Sequence, residues 1–252
     1  MQYIYVMAKN SSIIYGRHPI MELIQSGGSI DKIFLQKGIN KDFETEIRQA
    51  CRTYGIPMQY VPKEKLNRLC GQNHQGVVGY ISLVEYKKLE DIIPFIYEQS
   101  SVPLFLLLDG ITDVRNFGAI ARSAELCGVQ AIIIPQKGGA AINEDAIKTS
   151  AGALTKISVC RETSLRKSIE QLKLNGIKVV GASLEATQPI YDLDMQMPTA
   201  IVLGSEGKGI SRDVSKLLDD QFLIPQVGTT NSFNVSVAAG ITLYEVLRQR
   251  QS

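Results

Sequence analysis

Side chains that can do chemistry are concentrated in three short segments between residues 116 and 234. Asn116 and Arg122 belong to the first segment, NFGAIARSAELCGV; Glu206 lies between glycines in the second, GSEGKG; Ser232 and Asn234 belong to the third, NSFN. Together they supply a guanidinium, a carboxylate, a hydroxyl and two amides, all of which form hydrogen bonds with polar ligands. Neither of the two histidines lies near these segments, so a Ser-His-Asp interpretation of Ser232 lacks its base.

Each of these residues also has an ordinary structural interpretation. Arg122 could extend from a half-buried helix, or pair with Glu125 or Asp113. The carboxylate between glycines could be a solvated loop residue. Asparagine and serine are frequent helix caps, an interpretation that fits Asn116, Ser232 and Asn234. Considered one at a time, the residues favour these structural roles over a catalytic one.

Two strands are predicted to carry the second and third segments to one edge of a sheet. An apolar run at 200–203 ends at the glycine-rich turn 204–209, and a run at 221–225 ends at the loop 226–234, before a helix from about Val235. Glycine lets backbone groups approach a ligand closely, and open α/β sheets bind ligands at this edge. The GxxGxG spacing and the sequence GKG match neither the dinucleotide nor the Walker A pattern, which disfavours a nicotinamide or nucleoside-triphosphate site.

The chain as a whole is predicted to be α/β with two domains. Residues 1–84 alternate short strands and helices and are predicted to form a small N-terminal domain. Residues 85–103 have mixed polarity and two prolines, and are predicted to be a linker that contains a short helix. Residues 104–252 repeat the alternation more strongly. They begin with the continuous apolar run 104–108, which is typical of a buried parallel strand.

Composition limits the class of protein. The 252 residues are 44% hydrophobic and 21% charged, which is typical of a globular chain. No apolar run approaches the roughly 20 residues of a membrane span, and the first residues lack a signal-peptide pattern, so we expect a cytoplasmic protein without membrane contact. Four dispersed cysteines and two histidines favour ordinary thiols over a metal site. Residues 1–85 carry ten Lys/Arg against seven Asp/Glu, which permits RNA binding without establishing it.

Taken together, the three segments carry a family resemblance. In order and spacing, NFGAIARSAELCGV, IVLGSEGKGIS and IPQVGTTNSFNVSVAAGITLYE resemble the signature motifs of the SpoU (TrmH-like) family of RNA ribose 2′-O-methyltransferases, within the SPOUT superfamily. IIYGRHPIMELI and NHQGVVGYIS resemble the small RNA-binding domain of that family. The chain is most similar to members that methylate a guanosine ribose of 23S rRNA, while members that act on tRNA have similar motifs.

The resemblance implies a fold, a cofactor and partners. It implies a trefoil-knotted α/β catalytic domain, preceded by a smaller α/β RNA-binding domain. The two glycine-rich loops would hold S-adenosylmethionine, with no metal. Family members are homodimers whose sites borrow residues from the partner subunit. The apolar face of the last helix could form that interface or ordinary core, and it includes Val235, Ala238, Ala239 and Ile241.

The resemblance also implies roles for individual residues. Arg122 would activate the 2′-hydroxyl. Arginine is a poor free base because its pKa exceeds about 12, so help from a substrate phosphate and stabilisation of a developing oxyanion both remain open. Asn116 and Glu206 would orient Arg122 and the ribose, and Ser232 and Asn234 would shape the pocket floor.

Three further positions would contact the cofactor and three the RNA. The cofactor contacts implied are the backbones of Gly204, Ile224 and Phe233; Phe233 stands where most members have leucine. The RNA contacts implied are Arg17, His18 and Gln75. A ribose hydroxyl distinguishes RNA from DNA, so RNA is the implied substrate. An RNA-binding ribosome-assembly factor without turnover is the alternative from another functional class.

Overall fold

The computed structural model describes residues 13–99 and 101–251, and the chain divides after Val84 into two compact units. The first unit has a four-stranded sheet in the order β1-β4-β2-β3, in which β4 runs antiparallel to β1 and β2. Its elements are β1 (Ile13–Tyr15), α1 (Arg17–Gln25), β2 (Ile30–Gln36), α2 (Lys41–Thr53), β3 (Met58–Val61), α3 (Lys63–Leu69) and β4 (Val77–Ile81).

The second unit has a seven-stranded sheet in the order β11-β9-β10-β6-β7-β8-β5, with every pair parallel. Its strands are β5 (Tyr86–Lys87), β6 (Leu104–Asp109), β7 (Ala131–Pro135), β8 (Ser158–Glu162), β9 (Lys178–Ala182), β10 (Thr199–Gly204) and β11 (Asp220–Phe222). Its α-helices are α4 (Leu89–Glu98), α5 (Val114–Leu126), α6 (Glu144–Thr149), α7 (Leu165–Leu174), α8 (Arg212–Ser215) and α9 (Val235–Gln251).

The pairing of β6 with β10 sets the position of the candidate site. Both strands are continuous apolar runs and are almost fully buried, as expected in the middle of a parallel sheet. They are in register along their length, so Asp109 and Gly204 lie opposite each other at the carboxyl edge. The sheet continues to β7 on one side and to β9 on the other. This reversal of strand order is where open α/β sheets form their binding crevice.

The segment predicted to be a linker belongs instead to the second unit. Residues 85–98 form β5, which pairs with β8, and α4, which packs into the core. Four apolar residues of α4 are buried at spacings of three and four: Leu89, Ile92, Ile93 and Ile96. That periodicity indicates an amphipathic helix. The short helix was predicted, but the prolines and mixed polarity favoured a linker over a core element, and Pro94 in fact lies inside the helix.

The last helix, α9, packs along α5. Val235 and Ala239 are buried core residues, whereas Ile241 is 37% exposed, so only part of the expected interface face reaches the surface. Near the end of α9, the Arg250 guanidinium donates hydrogen bonds of 2.9–3.0 Å to four backbone carbonyls: those of Val102, Pro103, Met195 and Met197. These carbonyls immediately precede β6 and β10, so one side chain fixes the start of both central strands.

All four cysteines are free, and three of them are buried. Burial raises the pKa of Cys51 to about 11 and that of Cys160 to about 12, so both are neutral thiols at pH 7. Over residues 13–99 and 101–251, no group of three or more His, Cys, Asp or Glu could hold a metal ion. None of the helices in these ranges is long and apolar enough to cross a membrane.

Candidate active site

Three of the predicted site residues form one hydrogen-bonded cluster, which we call the Asn–Glu–Asn cluster: Asn116, Glu206 and Asn234. The Asn234 amide donates to Glu206 Oε1 at 2.6 Å, and the Asn116 amide donates to the same oxygen at 3.0 Å. Asn234 Nδ2 also lies 3.1 Å from Asn116 Oδ1. The structure thus brings together one residue from each of the three sequence segments.

The start of α5 leaves Asn116 available for this cluster. The helix cap is Asp113, whose carboxylate accepts from the Asn116 backbone N–H at 2.7 Å. Asn116 therefore lies in the first turn, and its side chain is not used for capping. Asp113 has this role in place of an ion pair with Arg122, and Glu125 pairs instead with Lys156 at 3.7 Å.

Asn234 combines the capping and site roles that the sequence left open. Its Oδ1 accepts from the Ser236 backbone N–H at 2.9 Å and from the Ser236 hydroxyl at 2.6 Å, at the start of α9. These bonds fix the amide plane, so Nδ2 faces Glu206 and Asn116. Sequence reasoning missed Ser236 as a positioning residue, although a serine two residues after a capping asparagine is a recognisable signal.

The glycine turn after β10 is held by its own backbone and by β6. Ser205 and Gly209 exchange backbone hydrogen bonds of 3.1 and 2.9 Å. Asp109, at the end of β6, accepts from the Ser211 backbone N–H at 2.7 Å. A Cβ at Gly204 would lie 2.0 Å from the Gly209 carbonyl carbon, so only glycine fits there. Asp109 is a second residue that sequence reasoning missed; an aspartate ending a buried strand was its signal.

A cavity of about 480 Å³ opens beside the turn. The turn 204–210 and the loop around 231–233 both line it, as do the ends of β9 and β11. The three positions implied for cofactor contact all line this cavity, together with two of the implied catalytic residues: Gly204, Ile224, Phe233, Glu206 and Ser232. The wall combines apolar side chains, such as Leu203 and Val235, with polar ones, such as Ser205 and Gln226.

Arg122 lies apart from the cluster and the cavity. It is exposed on α5, and its side chain makes no hydrogen bond or ion pair with any other residue that the structure describes. It follows Asn116 by six residues, which is about 9 Å along a helix and about 120° around it. The two side chains therefore lie on different faces of α5. Within one chain, the structure does not bring Arg122 to the other predicted catalytic residues.

The three positions implied for RNA contact lie together in the first unit. Arg17, His18 and Gln75 line a cleft of about 810 Å³. Gln75 Oε1 accepts from the Arg17 backbone N–H at 3.1 Å, and the Gln75 carbonyl accepts from Arg17 Nε at 3.4 Å. His18 is exposed.

Comparison with known proteins assigns the chain to a family. The family model of the SpoU rRNA methylases matches residues 103–244, and the model of the RNA 2′-O ribose methyltransferase substrate-binding domain matches residues 13–87. The chain belongs to the SpoU (TrmH) family of RNA methyltransferases. A Staphylococcus haemolyticus protein assigned to TrmH-family tRNA/rRNA methyltransferases is 40% identical over 94% of this chain and 96% of its own length. A Bacillus subtilis protein with the same assignment, YacO, is 34% identical over 97% and 98% of the two chains.

Solved structures of the SpoU family have the same fold. The methyltransferase AviRb from Streptomyces viridochromogenes superposes with a TM-score of 0.61 at 24% identity, covering 95% of this chain and 90% of AviRb. AviRb has also been solved with AdoMet, the S-adenosylmethionine that serves this family as methyl donor. The A. aeolicus TrmH/SpoU tRNA modifying enzyme superposes with a TM-score of 0.55 at 28% identity, covering 65% of this chain and 84% of that enzyme.

Proposed function

We propose that the protein transfers the methyl group of S-adenosylmethionine to a ribose 2′-hydroxyl of RNA, and that its target is a guanosine of 23S rRNA in the cytoplasm. The observation that carries this proposal is the Asn–Glu–Asn cluster. Its three polar side chains come from three distant segments and are joined by hydrogen bonds of 2.6–3.1 Å. The cluster stands next to a cavity at the edge of the sheet where ligands bind.

The cavity suits S-adenosylmethionine in size and chemistry. Its volume of about 480 Å³ is typical of small-molecule sites. The apolar part of the wall, near Ile224 and Phe233, suits an adenine ring, and the polar part suits a ribose and an amino-acid group. We assign Gly204, Ile224 and Phe233 to cofactor contact. A side chain at Gly204 would displace the turn that lines the cavity, so only glycine leaves the backbone in place for cofactor contact.

The chain's own residues must orient the acceptor hydroxyl. S-adenosylmethionine, when bound, supplies an electrophilic methyl carbon on a sulfonium. Glu206 Oε1 accepts hydrogen bonds from the two amides, whereas Oε2 accepts none from the part of the chain that the structure describes. We assign Oε2 as the acceptor for the ribose hydroxyl. A hydroxyl held in line with the methyl group reacts far faster than a free one. Ser232 lines the cavity and shapes its floor with Asn234.

Arg122 completes the site from a second copy of the chain. It shares an exposed face of α5 with Leu126, which is 70% exposed. The neighbouring helix α9 exposes an apolar stripe at helical spacing: Val237, Ile241 and Tyr244. We infer a homodimer through this face, in which the Arg122 guanidinium stabilises negative charge on the acceptor oxygen of the partner's site. Because its own Asn116 lies on another face of α5, a single chain would lack this group.

The chain is also proposed to thread through a loop, as the family resemblance implies. The strand β11 is followed by Leu223, whose backbone exchanges hydrogen bonds of 2.9 and 3.0 Å with Gln188 and Ile190. The next residues then reach the cavity that the turn 204–210 also lines. This return of the chain between two loops supports a knotted path.

The ribosomal target is favoured by the presence of the first unit. An rRNA methyltransferase from Sinorhizobium meliloti superposes over 94% of this chain, with a TM-score of 0.60. The A. aeolicus tRNA modifying enzyme covers only 65% of it. Of these two structures, the one with an rRNA assignment is the one that covers the first unit, which supports a ribosomal target. We propose that the cleft with Arg17, His18 and Gln75 binds the RNA substrate.

The deciding experiment is transfer of labelled methyl from S-adenosylmethionine to protein-free large-subunit rRNA. We expect label in an alkali-resistant dinucleotide, and we expect Arg122→Ala to abolish it. Arg166→Ala, which removes an exposed arginine on α7, should retain activity. Label in tRNA alone would move the target to tRNA, and absence of label from rRNA, precursor particles and tRNA would overturn the proposal.

Mixed dimers test whether Arg122 acts across subunits. Arg122→Ala and Glu206→Gln chains, each inactive alone, should form heterodimers with one intact site. An equal mixture should regain roughly one quarter of wild-type activity if subunits exchange at random. No recovery from subunits shown to exchange would place Arg122 in the site of its own chain.

A further inference from the structure

The cleft of the first unit has an unusual set of side chains. Six of the residues that line it carry carboxamides: Gln36, Asn40, Asn67, Gln72, Asn73 and Gln75. Arg17 and Lys63 add positive charge, and none of its described lining residues is Asp or Glu. Carboxamides donate and accept hydrogen bonds in a fixed plane, and they are the side chains that read base edges. A surface that only attracted phosphates would need cations, and this one has few.

A buried histidine fixes one of the amides. His74 is 5% exposed, and burial lowers its pKa, so the ring is neutral at pH 7. Its Nδ1 accepts from the Gly76 backbone N–H at 3.0 Å, and Nε2 must therefore carry the proton. Nε2 donates to Asn67 Oδ1 at 2.8 Å. The Asn67 Nδ2 group, with two protons, is left for a ligand in the cleft.

Two other cleft amides also have their oxygens bound within the protein. Asn40 Oδ1 caps α2 by accepting from the backbone N–H groups of Asp42 and Phe43, at 3.0 and 3.2 Å. Gln75 Oε1 accepts from Arg17. Gln75, which lines the cleft, also has φ +51°, a left-handed conformation that costs energy outside glycine. Three amide oxygens are thus used inside the protein, and three NH₂ groups remain as donors.

We propose that this cleft binds an unpaired nucleotide of the RNA substrate by a keto-bearing base edge, that of uracil or guanine. The proposal rests on the proposed function, because it specifies how that substrate is held. Fixed donors match carbonyl oxygens and ring nitrogens that accept, such as O4 of uracil or O6 and N7 of guanine, and reject the amino groups of cytosine and adenine. In an RNA duplex these base edges lie in the narrow major groove, which side chains cannot read. The nucleotide must therefore be unpaired.

Binding of the full-length protein to oligouridylate and oligocytidylate of equal length tests the proposal. The two bases differ at position 4, where uracil has a carbonyl and cytosine an amino group. We expect about tenfold tighter binding of oligouridylate, and weaker binding of a duplex of the same length at matched salt.

The informative variant is Asn67→Asp, which keeps the oxygen that His74 requires and replaces the NH₂ donor with an acceptor. It should weaken oligouridylate binding about tenfold and shift the preference toward cytosine, because a carboxylate accepts a hydrogen bond from the cytosine amino group. Gln59→Glu adds the same charge at an exposed position of β3 outside the cleft, and it should leave the preference unchanged. Gln72→Glu repeats the test at an exposed cleft residue, in case Asn67→Asp does not fold.

Equal wild-type affinity for the two oligonucleotides would overturn the cleft proposal, as would an Asn67→Asp effect no larger than that of Gln59→Glu. Methyl transfer to rRNA is measured on the same preparations. If methyl transfer persists while the base preference is absent, the cleft proposal fails alone. If the preference is found but no RNA is methylated, the proposed function fails and the cleft remains a base-binding site.

Discussion

At the scale of single residues, the Glu206 carboxylate joins two amides and leaves one oxygen for substrate. We predict that Glu206→Gln lowers kcat about 100-fold. The new NH₂ group would face the amide donors of Asn116 and Asn234, and the acceptor ribose would be misplaced. Affinity for S-adenosylmethionine should change little. The measurement is steady-state methyl transfer with calorimetry of cofactor binding. Glu98→Gln, the same substitution at an exposed position at the end of α4, is the control; an equal loss of kcat there would remove the special role of Glu206.

The buried His74 predicts a pH dependence of the first unit. Its pKa is lowered from 6.5 by burial, then by the nearby Lys63 charge. The unfolded chain therefore binds a proton that the folded unit resists, so stability is full above about pH 6.5 and falls as the pH drops through it. Hydrogen-exchange protection of β4, corrected for intrinsic rates, should be lower at pH 5.5 than at 7.5. His74→Gln should flatten this difference, whereas His18→Gln, at an exposed histidine, should not.

The sequence predicted candidate site residues but not the contacts between them. Motif order predicted Asn116, Glu206 and Asn234, and the structure joins them through hydrogen bonds that spacing cannot reveal. The capping role considered for Asn116 belongs to Asp113. The resemblance implied that Asn116 orients Arg122, yet within one chain helical geometry separates the two. The local sequence pattern does not indicate which copy of the chain supplies a residue to a site.

At the scale of elements, α4 shows where composition misleads. Ile93 is 2% exposed in the core of the second unit, whereas Phe95, two residues on, is 54% exposed. We predict that Ile93→Ala lowers the free energy of unfolding of this unit by about 2–4 kcal/mol, and Phe95→Ala by less than about 1 kcal/mol. Urea denaturation of the two variants measures both. Similar small losses would mean that α4 behaves as the linker helix that composition predicted.

The glycine turn gives a second element-scale prediction. Gly204→Ala places a methyl group 2.0 Å from backbone of the same turn, so the turn must shift and cofactor binding should be lost. Gly228→Ala, in the other loop, meets nothing within 4 Å and needs no positive φ, so it should bind S-adenosylmethionine as the wild type does. Calorimetry compares the two. Normal binding by a folded Gly204→Ala protein would exclude this turn from the cofactor site.

Long and strongly patterned elements were predictable, and short ones were not. The apolar runs of β6 and β10 and the amphipathic face of α2 predicted those elements closely. The predicted strand at 221–225 proves to be only Asp220–Phe222, and β5 has two residues. Strands this short contain less than two periods of alternation, so tertiary pairing decides them.

At the scale of the whole molecule, the exposed face of α5 and α9 predicts self-association. Ile241→Glu should place a charge in the proposed interface and shift the protein from dimer to monomer in analytical ultracentrifugation. Methyl transfer should fall with dimer content, because each site would lose its Arg122. Leu174→Glu is the matched control, since Leu174 is 87% exposed on α7. A monomeric wild type with full activity would contradict both the interface and the shared site.

The order of strands was beyond sequence pattern because neighbouring strands are far apart in the chain. Their continuous apolar runs predicted that β6 and β10 are buried and parallel, but neither run indicates which strand lies beside it. The same holds for the knot that family resemblance implies, since general rules of topology exclude threading. Local propensity decides what an element is, and long-range packing decides where it goes.

The Arg250 guanidinium has a consequence for synthesis on the ribosome. Its carbonyl partner at Val102 emerges 148 residues earlier. At the pace of translation, that delay is on the order of ten seconds. For the larger part of it β6 lacks β10 at its side, and for all of it the carbonyls before β6 lack their cationic donor. The hydrogen bonds that fix the start of both central strands therefore form only after the last helix has left the exit tunnel.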